Sequence, residues 1–165
     1  MFALPYLVHS RMATNESATI AICKQYALAQ DNYRRVDHDG NGVLEYAKSL
    51  KELFDAGKID ADFAQAEFGP DAIPKDGYFF KVLRAQGPAG PGGARSYINP
   101  QGSMTIGYAL EAFPAYWDQS GRNTFMISSS GTIYQKDLGG DTLKIASETT
   151  EFEPLNSNSC WICAE

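Results

Sequence analysis

From Tyr6 to Asp39 the chain contains no proline and no glycine, and no other stretch restricts the fold so much. Within it Ile22, Tyr26, Ala29, Tyr33 and Val36 follow one another at intervals of four, three, four and three residues. That spacing keeps one apolar stripe on a single helical face, and predicts a helix over Leu4 to Arg35. About thirty residues at ~1.5 Å each make a rod of ~45 Å. A domain of ~100 residues has a radius of gyration of only ~13 Å. The first third of the rod is therefore expected to project from the head or to meet another molecule. The alternative is a break between Ser10 and Asn15, where Thr14, Asn15 and Ser17 favour caps over helix interiors.

A length of 165 residues suits one domain with one core, and an apolar share of 44% argues against a disordered chain. The net charge of -6 comes without any cluster of lysine and arginine. Nucleic acid and anionic lipid are poor partners for such a chain, whereas a bound cation is compatible with it. No apolar run approaches the ~20 residues that span a bilayer, and no signal peptide is recognisable. Phe2, Ala3, Leu4, Tyr6, Leu7 and Val8 nevertheless make an abrupt apolar start. An upstream membrane segment removed from the parent protein would account for such a start, a reading the sequence leaves open.

Beyond the rod, Ser49-Leu50-Lys51-Glu52 reads as a capping box. It predicts a short helix burying Leu50, Leu53 and Phe54 and stopping at Gly57. Asp60 is placed to cap another helix through Ala61 to Phe68. After Gly77 the texture becomes that of strands, predicted at Tyr78 to Arg84, Thr105 to Phe113, Asn123 to Ser128 and Thr132 to Lys136. Gln86 to Arg95, with GPAGPGG at its centre, is expected to be an exposed loop. Asp141 to Glu148 reads as a helical turn or two, and the tail from Glu151 to Glu165 has no periodicity. Helices first and strands afterwards predict an α+β fold. In it the long helix covers a small antiparallel sheet of about four strands.

Two resemblances are carried by particular residues. Ala3 to Leu7 (ALPYL), Ser10-Arg11-Met12-Ala13 and Asn15-Glu16-Ser17-Ala18 resemble a segment of type IV pilins and type II secretion major pseudopilins. In those proteins it follows the membrane-spanning half of the N-terminal helix. Ile22-Cys23, Ala29-Gln30, Asp37 to Tyr46, Gly77 to Phe80, Ala85 to Tyr97 (AQGPAGPGGARSY), Gly107 to Pro114 and Ile133 to Gly139 cover more of the chain. They resemble the C-terminal half of a bacterial family of exported proteins of unknown function. The first likeness implies a single pilin-like domain over residues 1–165. Its parts are a helix (1–36), an acidic loop with short helices (37–76), a sheet (77–138) and a tail (139–165). Together the likenesses imply a periplasmic or extracellular protein, with an anchor in the inner membrane if the parent has one. The processed phenylalanine, the glutamate five residues on and the apolar span of a pilin are missing, so filament membership is implied for the parent protein.

Asp37, Asp39, Asn41, Gly42 and Glu45 have the spacing D-x-D-x-N-G-x-x-E. Oxygens at positions 1, 3 and 5 converge once glycine at position 6 allows a sharp turn, and the Val43 carbonyl and Glu45 add to the shell. These residues are candidate Ca2+ ligands. Lys48 stands where an EF-hand carries its bidentate acid, so the expected affinity falls in the weak range of ~10⁻⁴ to 10⁻³ M. The competing reading is an Asx-rich turn without metal. Cys160-Trp161-Ile162-Cys163 is a CxxC lacking the βαβ context of a redox centre. In an exported protein, Cys23 with Cys160 or Cys163 is a candidate disulfide joining tail to rod, worth ~4 to 5 kcal/mol in loop-closure terms. His9 and His38 are far apart, and His38 is expected to be a solvated side chain. GPAGPGG lacks the lysine of a phosphate loop.

Most strand aromatics are core candidates, while Tyr116 and Trp117, in a turn, are candidates for partner contact. No enzymatic constellation can be nominated. The expectation is a non-enzymatic, pseudopilin-like assembly subunit of a bacterial secretion or pilus system with a calcium-braced head, whose partners are copies of itself or related pseudopilins. The alternative is a soluble exported calcium-binding module that recognises its partner through residues 86–95 and Tyr116-Trp117.

Overall fold

A computed structural model describes residues 5–156 and 160–164. Phe2, Ala3 and Leu4 of the apolar start lie outside the described residues. Helix α1 runs unbroken from Pro5 to Tyr33. The alternative, a break between Ser10 and Asn15, is not met: Thr14 stays within the helix, its hydroxyl donating to the Ser10 carbonyl at 3.0 Å. Met12, Thr19, Ile22, Cys23, Tyr26, Ala29, Gln30 and Tyr33 form the buried face. Val36 does not extend it: the helix has ended, the chain turns, and Val36 is 51% exposed. Gln30 is a polar member of the buried face with its amide satisfied. Its Nε2 donates to the Tyr26 hydroxyl at 3.0 Å and to the Ala47 carbonyl at 2.8 Å, and its Oε1 accepts from Ala47 N at 2.8 Å. The rod is thereby tied to the segment that follows the acidic loop.

Helix α2 spans Leu50–Asp55 and α3 spans Ala61–Gln65. The Ser49 hydroxyl accepts from Glu52 N at 3.1 Å, while the Glu52 carboxylate accepts from Lys48 N at 2.7 Å, a capping box shifted by one residue on its return arm. Leu50 and Leu53 fill the inner side of this six-residue helix. Phe54, expected inside, falls on the outer side at 43% exposure. Helix α3 stops short of Phe68 because Phe68 N donates to the Phe80 carbonyl at 2.7 Å and Phe80 N to the Ala66 carbonyl at 2.9 Å. Those bonds draw the chain off the helix and cover the outer edge of the sheet.

The strands are β1 (Tyr78–Leu83), β2 (Ala85–Gln86), β3 (Arg95–Ser96), β4 (Ala109–Pro114), β5 (Asn123–Ser128), β6 (Ile133–Asp137) and β7 (Ile162–Cys163). The main sheet is antiparallel in the order β1-β4-β5-β6-β7, and β2 pairs with β3 alone. The second large strand begins at Ala109 rather than Thr105, since Met104 is engaged by bridges to Tyr46 and Ile98. Pro114 closes that strand from inside, opposite Tyr78. The aperiodic tail supplies a fifth strand. The glycine-rich loop is more fastened than expected, because the buried Gln86 donates its Nε2 to the Pro91 carbonyl at 2.6 Å and the Gly93 carbonyl at 2.7 Å.

Strand alternation divides the sheet into two faces. Tyr78, Phe80 and Val82 share one face with Leu110, Ala112, Phe125 and Ile127, their register partners. Helix α1 packs there against β4 and β5, and the Tyr26 hydroxyl donates to the Ala109 carbonyl at 3.3 Å. Phe79, Lys81, Glu111, Phe113, Met126 and Tyr134 occupy the other face. It is covered by α4 (Thr142–Glu148), which packs on β4, and by Phe152 against Tyr134.

Candidate functional site

Where α1 ends, the acidic loop folds on its own side chains. Asp37 accepts from Gly40 N at 2.9 Å and Gly42 N at 2.8 Å. Asp39 accepts from Asn41 N at 3.2 Å and Asn41 Nδ2 at 2.8 Å, and Asn41 Oδ1 accepts from Val43 N at 2.7 Å. Gly40 and Gly42, at φ +73° and +82°, supply the left-handed conformations that this turn requires. The amides, that of Gly42 foremost, hold the Asp37 carboxyl below its ordinary value. A carboxylate oxygen accepts more than one bond, so these amides leave lone pairs on Asp37 and Asp39 for a cation. Glu45 adds a buried Oε2 with no hydrogen-bond partner among the described residues. Among those residues no three His, Cys, Asp or Glu side chains gather closely enough to hold a metal ion. Asp37, Asp39 and Glu45 are therefore not brought together as a set of three, although the donor chemistry of the five expected ligands, with Asn41 and the Val43 carbonyl, suits Ca2+. His38, expected to be solvated, is exposed but stacks on Tyr33 with ring centroids 3.9 Å apart, its Nε2 2.9 Å from the Tyr33 carbonyl oxygen.

At the other end of α1 a second group of residues sets how the rod leaves the head. Asn15 Nδ2 donates to the Ser120 carbonyl at 2.9 Å. The Glu16 carboxylate accepts from Arg122 N and Asn123 N, each at 3.0 Å, and from Asn123 Nδ2 at 3.4 Å. This clamp grips the turn between β4 and β5. Gly77 lies against it at φ +77°, where an added Cβ would stand 2.7 Å from Ser120 Cβ and 2.8 Å from Asn15 Nδ2. Only glycine allows that approach. Met12 is the first buried residue of the rod, and Tyr6 and Leu7 before it are 66% and 48% exposed. Among the described residues the overhang is thus the seven from Pro5 to Arg11, ~10 Å of helix.

The other candidates separate. Tyr116 is 67% exposed, whereas Trp117 is half-buried and donates its Nε1 to Asp137 at 2.7 Å. The expected staple between Cys23 and the tail is not made. Cys23 is buried beneath α1, while Cys160 and Cys163 are exposed at the β7 edge, and all three thiols are free. Burial pushes the Cys23 thiol up to about 12, which removes it from nucleophilic or redox use.

Sequence reasoning passed over the Asn15-Glu16 clamp and the Lys81 and Glu111 pair. Glu111 did carry a signal: it is the one acid in the run Tyr108 to Phe113, flanked two residues away on either side by Ala109 and Phe113. An acid on an otherwise apolar strand face is the kind of inconsistency that marks a special position.

A family model described as "Protein of unknown function (DUF2950)" matches residues 5–74 and 54–161 of the chain. No curated protein and no solved structure matches it.

Proposed function

The chain belongs to the DUF2950 family, a family of unknown function, and we propose that it serves as a non-enzymatic, pseudopilin-like assembly subunit of a bacterial envelope secretion or pilus system. The observation that carries this reading is the overhanging front of α1. Tyr6 and Leu7 stay exposed at 66% and 48% on a helix whose next turns are clamped to the head. A rigid apolar prong of this kind is suited to packing against a neighbouring copy or a related subunit. The order of long helix, short helices and antiparallel sheet is compatible with that role. The location that goes with it is periplasmic or extracellular, with contact to the membrane only through a segment upstream. Among the described residues no helix is long and apolar enough to cross a membrane.

In this reading the loop from Asp37 to Glu45 braces the junction of rod and head by taking Ca2+ through Asp37, Asp39, Asn41, the Val43 carbonyl and Glu45. The bound cation offsets the repulsion among three acids; it supplies no chemistry. Sedimentation velocity of the whole chain over a concentration series, with millimolar calcium and with chelator, tests both parts. The expected result is concentration-dependent association that Tyr6→Lys with Leu7→Lys abolishes, and that calcium strengthens. A chain that stays monomeric throughout, with the prong in either form, overturns the assembly role.

A second reading is favoured by the exposure of Tyr116 at 67%: a soluble exported calcium-binding module recognising a different protein through Tyr116 and residues 86–95. That protein stays monomeric in the same experiment, and Tyr116→Ala weakens capture of its partner.

A further inference from the structure

Lys81 on β1 and Glu111 on β4 are register partners on the sheet face turned away from α1, and no part of the assembly reading uses them. Glu111 is fully buried, and neither carboxyl oxygen has a hydrogen-bond partner among the described residues. Thr124 on β5 is buried in the same way with its hydroxyl unpartnered. Lys81, the nearest cation, is directed elsewhere. Its Nζ donates to the carbonyls of Ala146 at 3.3 Å, Ser147 at 2.8 Å and Thr149 at 2.5 Å. These lie at the C-terminal end of α4, where orphan carbonyls and the negative end of the helix dipole favour a cation. With seven residues, α4 is too short to persist without tertiary contacts. Thr142 and Ala146 are its buried residues, and the lysine is its fastener.

One ammonium group thus bonds the helix end while acting on its register partner Glu111 through charge alone, and the proton on Glu111 decides whether the two compete for it. A neutral Glu111 makes no demand on the lysine. An ionised one is a buried, unpaired carboxylate, and it is relieved only by drawing Lys81 from the helix end or by admitting water beneath α4. We propose that α4 is a pH-gated flap over β4, fastened by Lys81 while Glu111 is protonated and loosened as Glu111 ionises.

The electrostatics of the face agree in direction. Burial raises the Glu111 carboxyl to about 8, with Lys81 as the charge opposing that rise. From β6, Tyr134 and Lys136 lie on this face, opposite Met126 and Thr124; β5 contributes no titratable group to it. Asp141, Lys144 and Glu148 on and beside α4 are exposed, as is Glu151, and Glu153 is engaged with Ala89 N. Opening the flap solvates Glu111 and returns it to its ordinary value, so opening releases a proton between that value and about 8. By linkage the opening equilibrium then rises up to ~tenfold per pH unit across that window and levels off above it.

Amide hydrogen exchange of residues 142–149, corrected for intrinsic rates and referred to β5 amides, tests this from pH 5 to pH 9. In the unaltered chain, protection of this segment falls at least tenfold more than that of β5. Glu111→Gln makes the protection independent of pH, and Lys81→Met lowers it at every pH. A flat profile in the unaltered chain, or an unchanged slope in Glu111→Gln, overturns the proposal. If Glu111→Gln fails to fold, carbon-detected titration of the Glu111 carboxyl in the unaltered chain decides instead. A midpoint near 8, at the pH where the loss of protection levels off, upholds the flap, and an ordinary carboxylate midpoint overturns it.

Discussion

The two faces of the central sheet are held together differently. Beneath α1, Tyr78, Phe80, Leu110, Phe125 and Ile127 meet Tyr26, Phe63 and Cys23, all almost fully buried. Phe63 meets Phe80 edge-on at 4.9 Å, and the Tyr26 hydroxyl and the Gln30 amide both find partners. Beneath α4, apolar Phe79, Phe113 and Met126 surround a carboxyl and a hydroxyl without partners, covered by a seven-residue helix that hangs on one lysine. The first face is paired except at the buried Thr19 hydroxyl, and its apolar contacts are redundant. The second depends on a single proton, and the difference assigns rigidity to the rod's side of the head and pliability to its back.

The comparison predicts unequal responses. The largest effect is expected under the rod, where Phe80→Ala removes a fully buried ring and should cost ~3 to 5 kcal/mol, read from the midpoint of urea unfolding. Comparable when summed over its whole window is the pH dependence of global stability. The folded-state value of Glu111 lies above its unfolded one, so its contribution is fully present below the ordinary value of 4.5 and is lost as pH rises to about 8. Unfolding at a series of pH values should show stability falling by up to ~1.4 kcal/mol per unit within that window, a slope that Glu111→Gln removes. A smaller loss, ~1 to 3 kcal/mol, is expected for Glu16→Ala, which leaves the amides of Arg122 and Asn123 without their acceptor. The smallest change in stability, within ~0.5 kcal/mol, belongs to Tyr6→Lys, because the residue is exposed and touches no core. Its effect should appear in sedimentation alone. If Phe80→Ala and a truncation on the α4 side such as Met126→Ala proved equally costly, the contrast between the faces would fail.

How much of this was legible beforehand follows from the range of the interactions. The rod, the capping box at Ser49 and the strand at Asn123 rest on periodicity and caps within a few residues, and they appear where local chemistry puts them. The two-residue β7 has no period to detect, and its pairing with Tyr134 and Gln135 spans almost thirty positions. Val36 continued the apolar spacing on paper, but the helix had already turned. The spacing of the acidic loop was visible, whereas the amides that hold Asp37 and Asp39 in place depend on the left-handed glycines. Glu111 could be seen as an anomaly, but its isolation is set by α4, which arrives thirty residues later from an unrelated stretch. The cysteine staple failed because Cys23 points into the sheet and the tail passes along its far edge.

That tail has one more consequence. Strand β7 screens the border of β6, where Tyr134 and Gln135 bond to Cys163 and Ile162 and the Ala164 amide reaches the Ile133 carbonyl at 2.8 Å. Proteolytic trimming ahead of Trp161 would strip this selvedge and leave β6 with a raw row of donors and acceptors. Molecules so clipped should stitch together sideways, sheet to sheet, an association quite separate from anything the N-terminal prong does.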